Sequence, residues 1–337
     1  MTDRPPMRLG VIGAGAISQV VHLPILVERE DVDVVGIADL DMHKAETLSR
    51  RFSVPLVLPA DELLDLDDLD AVVLCTPNNT HEEMAIAALE RGLHVFVERP
   101  LATTSAGASR AVEVAVRQGR VLLVGFPHRY RPEVIALRSF HEGGELGEPY
   151  AVRASWLTRL FPSHRASWRS DQDVAGGGVL VDLGVPALDM ALFVLGYPEA
   201  KRVLCQTAAD EDSVEHSATL MIELDGGVAV TLEVGNRLFA SEDRFYLRVM
   251  GSEGSGSLPP LEVFKQLGGR PMEVTPRQPR PRGGENPYTN AYRRLLDDFV
   301  RQASGVGEIS VPVEQVGLMR IIEAAYTSAE SGRDVDL

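Results

Sequence analysis

Solid apolar runs and amphipathic stretches alternate through the first third of the chain. "RLGVIG", "DVVGIAD", "DAVVLC", "HVFVE" and "VLLVG" are short and apolar almost throughout. Between them lie segments with helical spacing: a stretch reaching to about Glu28, then "MHKAETLSRRF", "THEEMAIAALERG" and a run from Ser105 to Gln118. A strand buried on both faces loses the polar–apolar alternation of a half-exposed one, and intervening helices supply the cover. The pattern therefore predicts a parallel sheet. With right-handed crossovers this becomes a doubly wound α/β domain ending near Gly125.

The pattern then changes. After a helix around Pro132 to Gly143 come "PYAVRASWLT", "KRVLCQTAA", "SATLMIEL", "GVAVTLEVGNRL" and "DRFYLRVMGS". These are longer and tend to alternate, as strands do in an antiparallel sheet with one covered face. "GSEGSGS" and "RQPRPRGGENP" read as loops. Two last helices are expected from Tyr288 to Gln302 and from Val313 to Ala329. The expected order is α/β, then α+β, with one domain over 1–126 and a second over 127–337.

Length and composition agree with two domains. The chain has 337 residues, 45% of them hydrophobic, enough for ordinary cores. A net charge of −16 argues against a nucleic-acid binder, which needs a basic footprint, and against attraction to anionic membranes. No apolar run reads as a bilayer span, and the N-terminal apolar stretch is cut by glycines, so a cytoplasmic protein is expected. The two cysteines, Cys75 and Cys205, form neither a disulfide framework nor a zinc cluster, and Cys75 reads as a small buried hydrophobe. No cluster has metal-ligand spacing.

The strongest chemical signal is "RLGVIGAGAIS". Gly13 and Gly15 follow a predicted strand and precede a predicted helix, the context of a dinucleotide-binding turn. Gly13 permits the tight turn. Gly15 lets backbone approach a pyrophosphate, and the helix start at Ala16 and Ile17 offers amide groups and a favourable dipole. Ser18 stands where a third glycine would aid packing. Asp39, in "GIADLD", lies where an acid binds the ribose hydroxyls; with Asp41 close by and no base beside it, NAD is expected over NADP. Thr76, Pro77, Asn78 and His81, in "CTPNNTH", follow the next strand at the ligand-facing sheet edge, with Thr80 as an expected helix cap. Glu98 and Arg99, in "VFVERP", close the strand beyond.

These segments resemble the Gfo/Idh/MocA oxidoreductase family. The likeness runs through "GVIGAGAIS", "CTPNNTH", "GLHVFVERPLATT", "VGFPHRYRPEV", "GELGEPYAVRA", "GGGVLVDLGVPALDMALFVLG" and "IIEAAYTSAESGRDV", in order along nearly the whole chain. It implies an N-terminal Rossmann domain and a C-terminal domain built on a large, mostly antiparallel sheet that often forms an oligomer interface. It also implies a nicotinamide in the cleft between domains and a sugar, cyclitol or related polyol as substrate.

Two positions depart from the family pattern. The family's Glu-Lys-Pro is Glu98-Arg99-Pro100 here. Its Asp-x-Gly-x-His-x-x-Asp is Asp182, Gly184, Pro186 and Asp189, so proline stands where relatives carry the proton. Arginine is not deprotonated in proteins, so Arg99 is no ordinary acid or base, although it can hold a carboxylate or stabilise a developing alkoxide. Proline has no proton to give, and Pro186 suits the first turn of a helix that stops near Gly196. What remains for catalysis is Arg99, Asp182 and His164; for the substrate, Arg99, Asp182, Arg169 and a platform at Trp168. His128 and Tyr130 are further candidates for the cleft, Arg129 reads as structural, and His22 as packing or a cofactor contact. The leading expectation is an NAD-dependent oxidoreductase with an atypical proton step. The alternatives are a catalytically silent dinucleotide-binding sensor or partner subunit, and an enzyme using NAD transiently for elimination or glycoside cleavage.

Overall fold

The computed structural model describes residues 5–160, 168–211, 213–278 and 286–337. It divides into two compact units. One comprises the described residues up to Pro127 together with 286–313; the other runs from His128 to 278 and from Glu314 to Leu337.

The first unit is the predicted doubly wound domain. Its strands are β1 (Met7–Ile12), β2 (Val32–Ala38), β3 (Leu56–Val57), β4 (Ala71–Leu74), β5 (His94–Val97) and β6 (Leu122–Val124). All pair in parallel, in the order β3-β2-β1-β4-β5-β6. This order places a topological switch point between β1 and β4, where such sheets bind ligands beyond their carboxyl ends. The covering helices are α1 (Leu23–Val27), α2 (Met42–Phe52), α3 (Ala60–Leu64), α4 (His81–Glu90) and α5 (Ser105–Gln118). A π-helical turn, Ser18–His22, leads into α1. Every residue of β4 and β6 is buried, which is why their sequences show no alternation.

In the second unit α6 (Pro132–Glu142) is followed by β7 (Pro149–Arg159), then α7 (Gln172–Ala175), a π-helical turn Leu180–Gly184, and α8 (Val185–Leu195). The strands β8 (Ala200–Ala208), β9 (Ser217–Leu224), β10 (Ala229–Leu238), β11 (Arg244–Gly251), β12 (Gly254–Leu258), β13 (Glu262–Leu267) and β14 (Arg270–Glu273) come next. After them the chain contributes α9 (Pro287–Ala303) to the first unit, then α10 (Glu314–Ser331) and β15 (Val335–Asp336) to the second. The nine strands are ordered β14-β13-β12-β11-β7-β10-β9-β8-β15. Only the central pair β7–β10 is parallel. Alternate side chains of β9 and β10 are buried and exposed, so one sheet face is covered, with α8 packed on β7 and α10 on β8.

Two sequence expectations change. The sequence order places the helix after "GGENP" in the second domain, but α9 packs in the first: Phe299 is buried edge-to-face on Phe96 of β5, and Tyr292 lies against His22. The expectation that no apolar run could span a bilayer also needs correction. The helical path Gln172–Leu195 is long and apolar enough by composition, yet nearly all of its most apolar stretch is buried inside the protein. It is the core helix of its unit. Sequence hydropathy reports apolarity and not what surrounds it.

Because α9 completes the first unit, truncating its deepest aromatic should destabilise that unit. Phe299→Ala is expected to cost about 3–5 kcal/mol, read as a lowered midpoint in urea unfolding followed by circular dichroism.

Candidate active site

The turn after β1 is pressed against the end of β4. Gly13 has φ +103°, and a Cβ there would lie 2.6 Å from the carbonyl of Cys75. No side chain fits that approach. The Gly13 amide donates to the Ala38 carbonyl (2.8 Å) and the Cys75 amide to that of Ile12 (2.7 Å), so three strand ends meet at one point. At Gly15, by contrast, a Cβ would enter open space, and Gly15 and Ala16 are exposed, with Ile17 half-buried. The backbone here is open to a phosphate approaching a helix start. Ser18 is fully buried and its hydroxyl donates to the Gly13 carbonyl, closing the turn where a third glycine would have allowed closer packing.

Asp39 is the second part of this cradle. One carboxylate oxygen accepts from the Ala14 amide (2.6 Å), the other from the Asp41 amide (2.8 Å). The acid thereby ties the glycine turn to the end of β2. Lys44, the nearest lysine or arginine along the chain, is paired with Asp41 at 3.4 Å. The set fits NAD: glycine turn, helix start, and an acid at the ribose position.

Two further loops leave the same sheet edge. In the first, Thr80 does not cap α4 as expected. Its hydroxyl lies 2.7 Å from both the Pro77 carbonyl and the Thr76 hydroxyl, which stiffens the Thr76–Asn78 segment from within. Asn78 is buried. His81 is not available as a cofactor ligand, since its two ring nitrogens face the carbonyls of Pro100 (2.7 Å) and Thr76 (2.9 Å). Cys75, expected to be buried, is half-exposed, whereas Cys205 is buried.

The second loop is anchored by Glu98. Its Oε1 lies 2.7 Å from His22 Nε2, and Tyr292 donates to its Oε2 at 3.2 Å. His22 is 0% exposed and the Glu98 side chain 13%. Burial opposes charge on both groups, but their mutual attraction prevails. Contacts with Cys75 and Glu98 raise the His22 pKa to about 10, while His22 and Arg99 hold the Glu98 carboxyl below its usual range. Glu98 is thus an ionised tether and not a free base. It fixes the tip of β5, from which Arg99 follows. No local sequence signal marks Tyr292 for this task; it lies 194 residues away, on α9.

In the second unit the run Gly176–Gly178 has a definite cause. A Cβ on Gly177, at φ +152°, would lie 1.9 Å from the Tyr326 hydroxyl, and one on Gly178 would lie 2.2 Å from the Glu215 carbonyl. Buried Glu215 accepts from the amides of Gly178 (2.9 Å) and Leu180 (2.9 Å) and from the Tyr326 hydroxyl (2.9 Å). A carboxylate at a helix start binds the unpaired amides and meets the positive end of the dipole. Nothing local in the sequence marks Glu215 for this task. The helical path therefore begins before Pro186, through the turn Leu180–Gly184, and α8 ends at Gly196 as expected.

The two acids that flank this segment separate in role. Asp182 is 41% exposed and pairs with Arg169 at 3.6 Å. The Arg169 guanidinium lies 4.4 Å from the Trp168 ring centroid. Three residues expected at the substrate, Trp168, Arg169 and Asp182, are therefore brought together. Asp189 is buried and bound by Arg129 through two nitrogens, with the Tyr197 hydroxyl at 2.9 Å. Arg129 also donates to Glu314 (2.8 Å), so its structural reading holds. His128 packs edge-to-face on Trp156 and stacks with Phe245. Pro186 is buried in the first turn of α8. His164 lies outside the described residues.

The raised pKa of His22 makes stability depend on alkaline pH. The folded value of about 10 exceeds the ordinary 6.5. The contribution is complete below the ordinary value and is lost as pH rises through the folded one. The thermal midpoint should fall between pH 8 and pH 10, and His22→Gln should flatten that part of the curve, as measured by differential scanning calorimetry.

Comparison with known proteins agrees with this geometry. Residues 7–126 match the GFO_IDH_MocA oxidoreductase family with an NAD-binding Rossmann fold, and residues 134–257 match the GFO/IDH/MocA C-terminal domain. D-glucoside 3-dehydrogenase of Escherichia coli (strain K12) is 29% identical over 98% of both chains. The dTDP-3,4-didehydro-2,6-dideoxy-alpha-D-glucose 3-reductase of Saccharopolyspora spinosa is 32% identical over 74% of each. Among solved structures, levoglucosan dehydrogenase in complex with NADH and L-sorbose has a TM-score of 0.87 at 22% identity, covering 99% of both chains. With both of its domains matched in order, the chain belongs to the Gfo/Idh/MocA family of NAD-dependent oxidoreductases.

Proposed function

We propose that this oxidoreductase acts on a sugar, cyclitol or related polyol or keto substrate, with a proton step that does not use the family's lysine and histidine. The observation that carries this reading is the half-exposed group Trp168, Arg169 and Asp182 on the glycine-built wall of the second unit. It offers an aromatic face, a fork of donors and an acceptor carboxylate, the set that polyhydroxylated rings engage. The names of the relatives, which act on glucosides, deoxy sugars and, in Acidothermus cellulolyticus, inositol, support the same class.

When bound, NAD accepts or returns the hydride at its nicotinamide. The protein must supply the rest. Arg99 polarises the substrate oxygen and stabilises negative charge that develops on it, without exchanging a proton. Asp182 accepts from a substrate hydroxyl and takes the proton, directly or through water or His164. A carboxylate that is both paired and open to solvent can exchange protons with bulk water, whereas buried Asp189 and Glu98 are committed to their partners.

The test is NADH absorbance across a panel of sugars, polyols and keto-sugars. Turnover is expected with at least one member. Asp182→Asn should lower kcat by about 10²–10⁴-fold, the range of general acid–base catalysis, and leave NADH binding unchanged. Tight NADH binding without turnover would instead favour a dinucleotide sensor, the reading that Pro186 by itself would suggest. Release of a leaving group without net NADH would favour transient oxidation in an elimination or glycoside cleavage.

We also infer self-association through the open face of the nine-stranded sheet. Leu204 and Met221 face each other across β8–β9 and are exposed, an apolar pair on a sheet face that no helix covers among the described residues. Met221→Glu is expected to shift the sedimentation coefficient towards the monomer without altering NADH affinity.

A further inference from the structure

His81 opens α4 and is 1% exposed. Its Nδ1 lies 2.7 Å from the Pro100 carbonyl, and its Nε2 lies 2.9 Å from the Thr76 carbonyl. Thr76 belongs to the loop after β4, beside the glycine turn. Pro100 directly follows Arg99 in the loop after β5. The ladder between these strands ends at Leu74–Val97, with one more rung from the Glu98 amide to the Leu74 carbonyl at 2.9 Å. Beyond that rung the two loops are joined through the imidazole.

We propose that His81 is a positioning residue, whose ring holds the Arg99 loop at a set distance from the cofactor-lining Thr76 loop. This rests on the proposed role of Arg99, and it adds a device that keeps Arg99 in register with the dinucleotide. The ring suits the task because it is rigid and has polar atoms on opposite sides. A neutral imidazole carries one proton, so it donates to one carbonyl and abuts the other; an imidazolium donates to both. Burial is the larger influence and keeps the pKa below its ordinary value, against the two carbonyls and the charge of Glu98. Two carbonyls at hydrogen-bond distance call for two N–H donors, so only the imidazolium bonds both loops, whereas the neutral ring, which burial favours, bonds one and turns a lone pair toward the other.

The experiment compares wild type, His81→Gln and His81→Leu by NADH fluorescence titration, steady-state kinetics and thermal melting. His81→Leu should weaken NADH binding about tenfold and lower kcat about a hundredfold, the loss expected when reacting groups shift by about an ångström. Its melting temperature should fall modestly, because a carbonyl loses its donor. His81→Gln, which keeps a donor, should recover most of both losses. A purely structural histidine would lower the melting temperature of the variants but leave NADH affinity and kcat at wild-type values, and that result would overturn the proposal. If His81→Leu does not fold, the ring signals of wild-type His81, assigned by their absence in His81→Gln, decide the matter. They must move on NADH saturation, and unchanged signals would overturn the proposal. Wild-type protein that fails to bind NADH would defeat the cofactor reading and this inference together, whereas normal wild-type binding with unaffected variants would defeat this inference alone.

Discussion

A carboxylate taken wholly or partly out of water has to meet donors or an opposite charge, and four among the described residues do. Asp39 receives the Ala14 and Asp41 amides. Glu98 receives His22 and Tyr292. Glu215 receives the Gly178 and Leu180 amides and Tyr326. Asp189 receives Arg129 and Tyr197. Leaving Glu98, Glu215 or Asp189 unpaired would cost several kcal/mol, whereas half-exposed Asp39 keeps contact with water. Each pairing therefore fixes the piece of chain it touches, and three of those pieces carry candidate site residues: the glycine turn, the tip of β5 before Arg99, and the turn that carries Asp182.

The same arrangement sorts the acids by chemistry. A buried, fully bonded carboxylate is a poor proton carrier, because protonating it breaks the bonds that made its burial tolerable. Glu98 and Asp189 fall in this class. Asp182 is paired with Arg169 at 3.6 Å, is 41% exposed and remains open to water. The loss of proton-bearing groups at positions 99 and 186 thus leaves a chemically distinct acid in place. Pro186 follows directly on the π-helical turn Leu180–Gly184, inside a continuous helical path, so the wider turn before it and not a free helix start accommodates its missing amide.

Much of the first unit was legible because its signals are local. A glycine two residues before another, between a strand and a helix, and an acid at the end of the next strand, all follow from backbone geometry within a short span. The failures have the opposite character. Thr80 reads as a cap by position, but its hydroxyl found nearer acceptors in its own turn. Cys75 reads as core from the apolar run it ends, yet it stands just past the last strand residue, where the sheet edge opens. Residues 172–195 are apolar enough to resemble a membrane span, and only the surrounding unit shows them to be core.

The sequence by itself determined the parallel then antiparallel order of strands, the dinucleotide turn with Asp39, and the two departures at Arg99 and Pro186. Periodicity and neighbouring residue types are enough for these. Tertiary structure alone decided that α9 completes the first unit, that Tyr292 and His22 hold Glu98, that Glu215 anchors the glycine run, and that His81 joins two loops. These partners lie many residues apart, up to 194 for Tyr292 and Glu98. No period or spacing records such a pairing; it exists only once burial has brought the groups together and obliged them to bond.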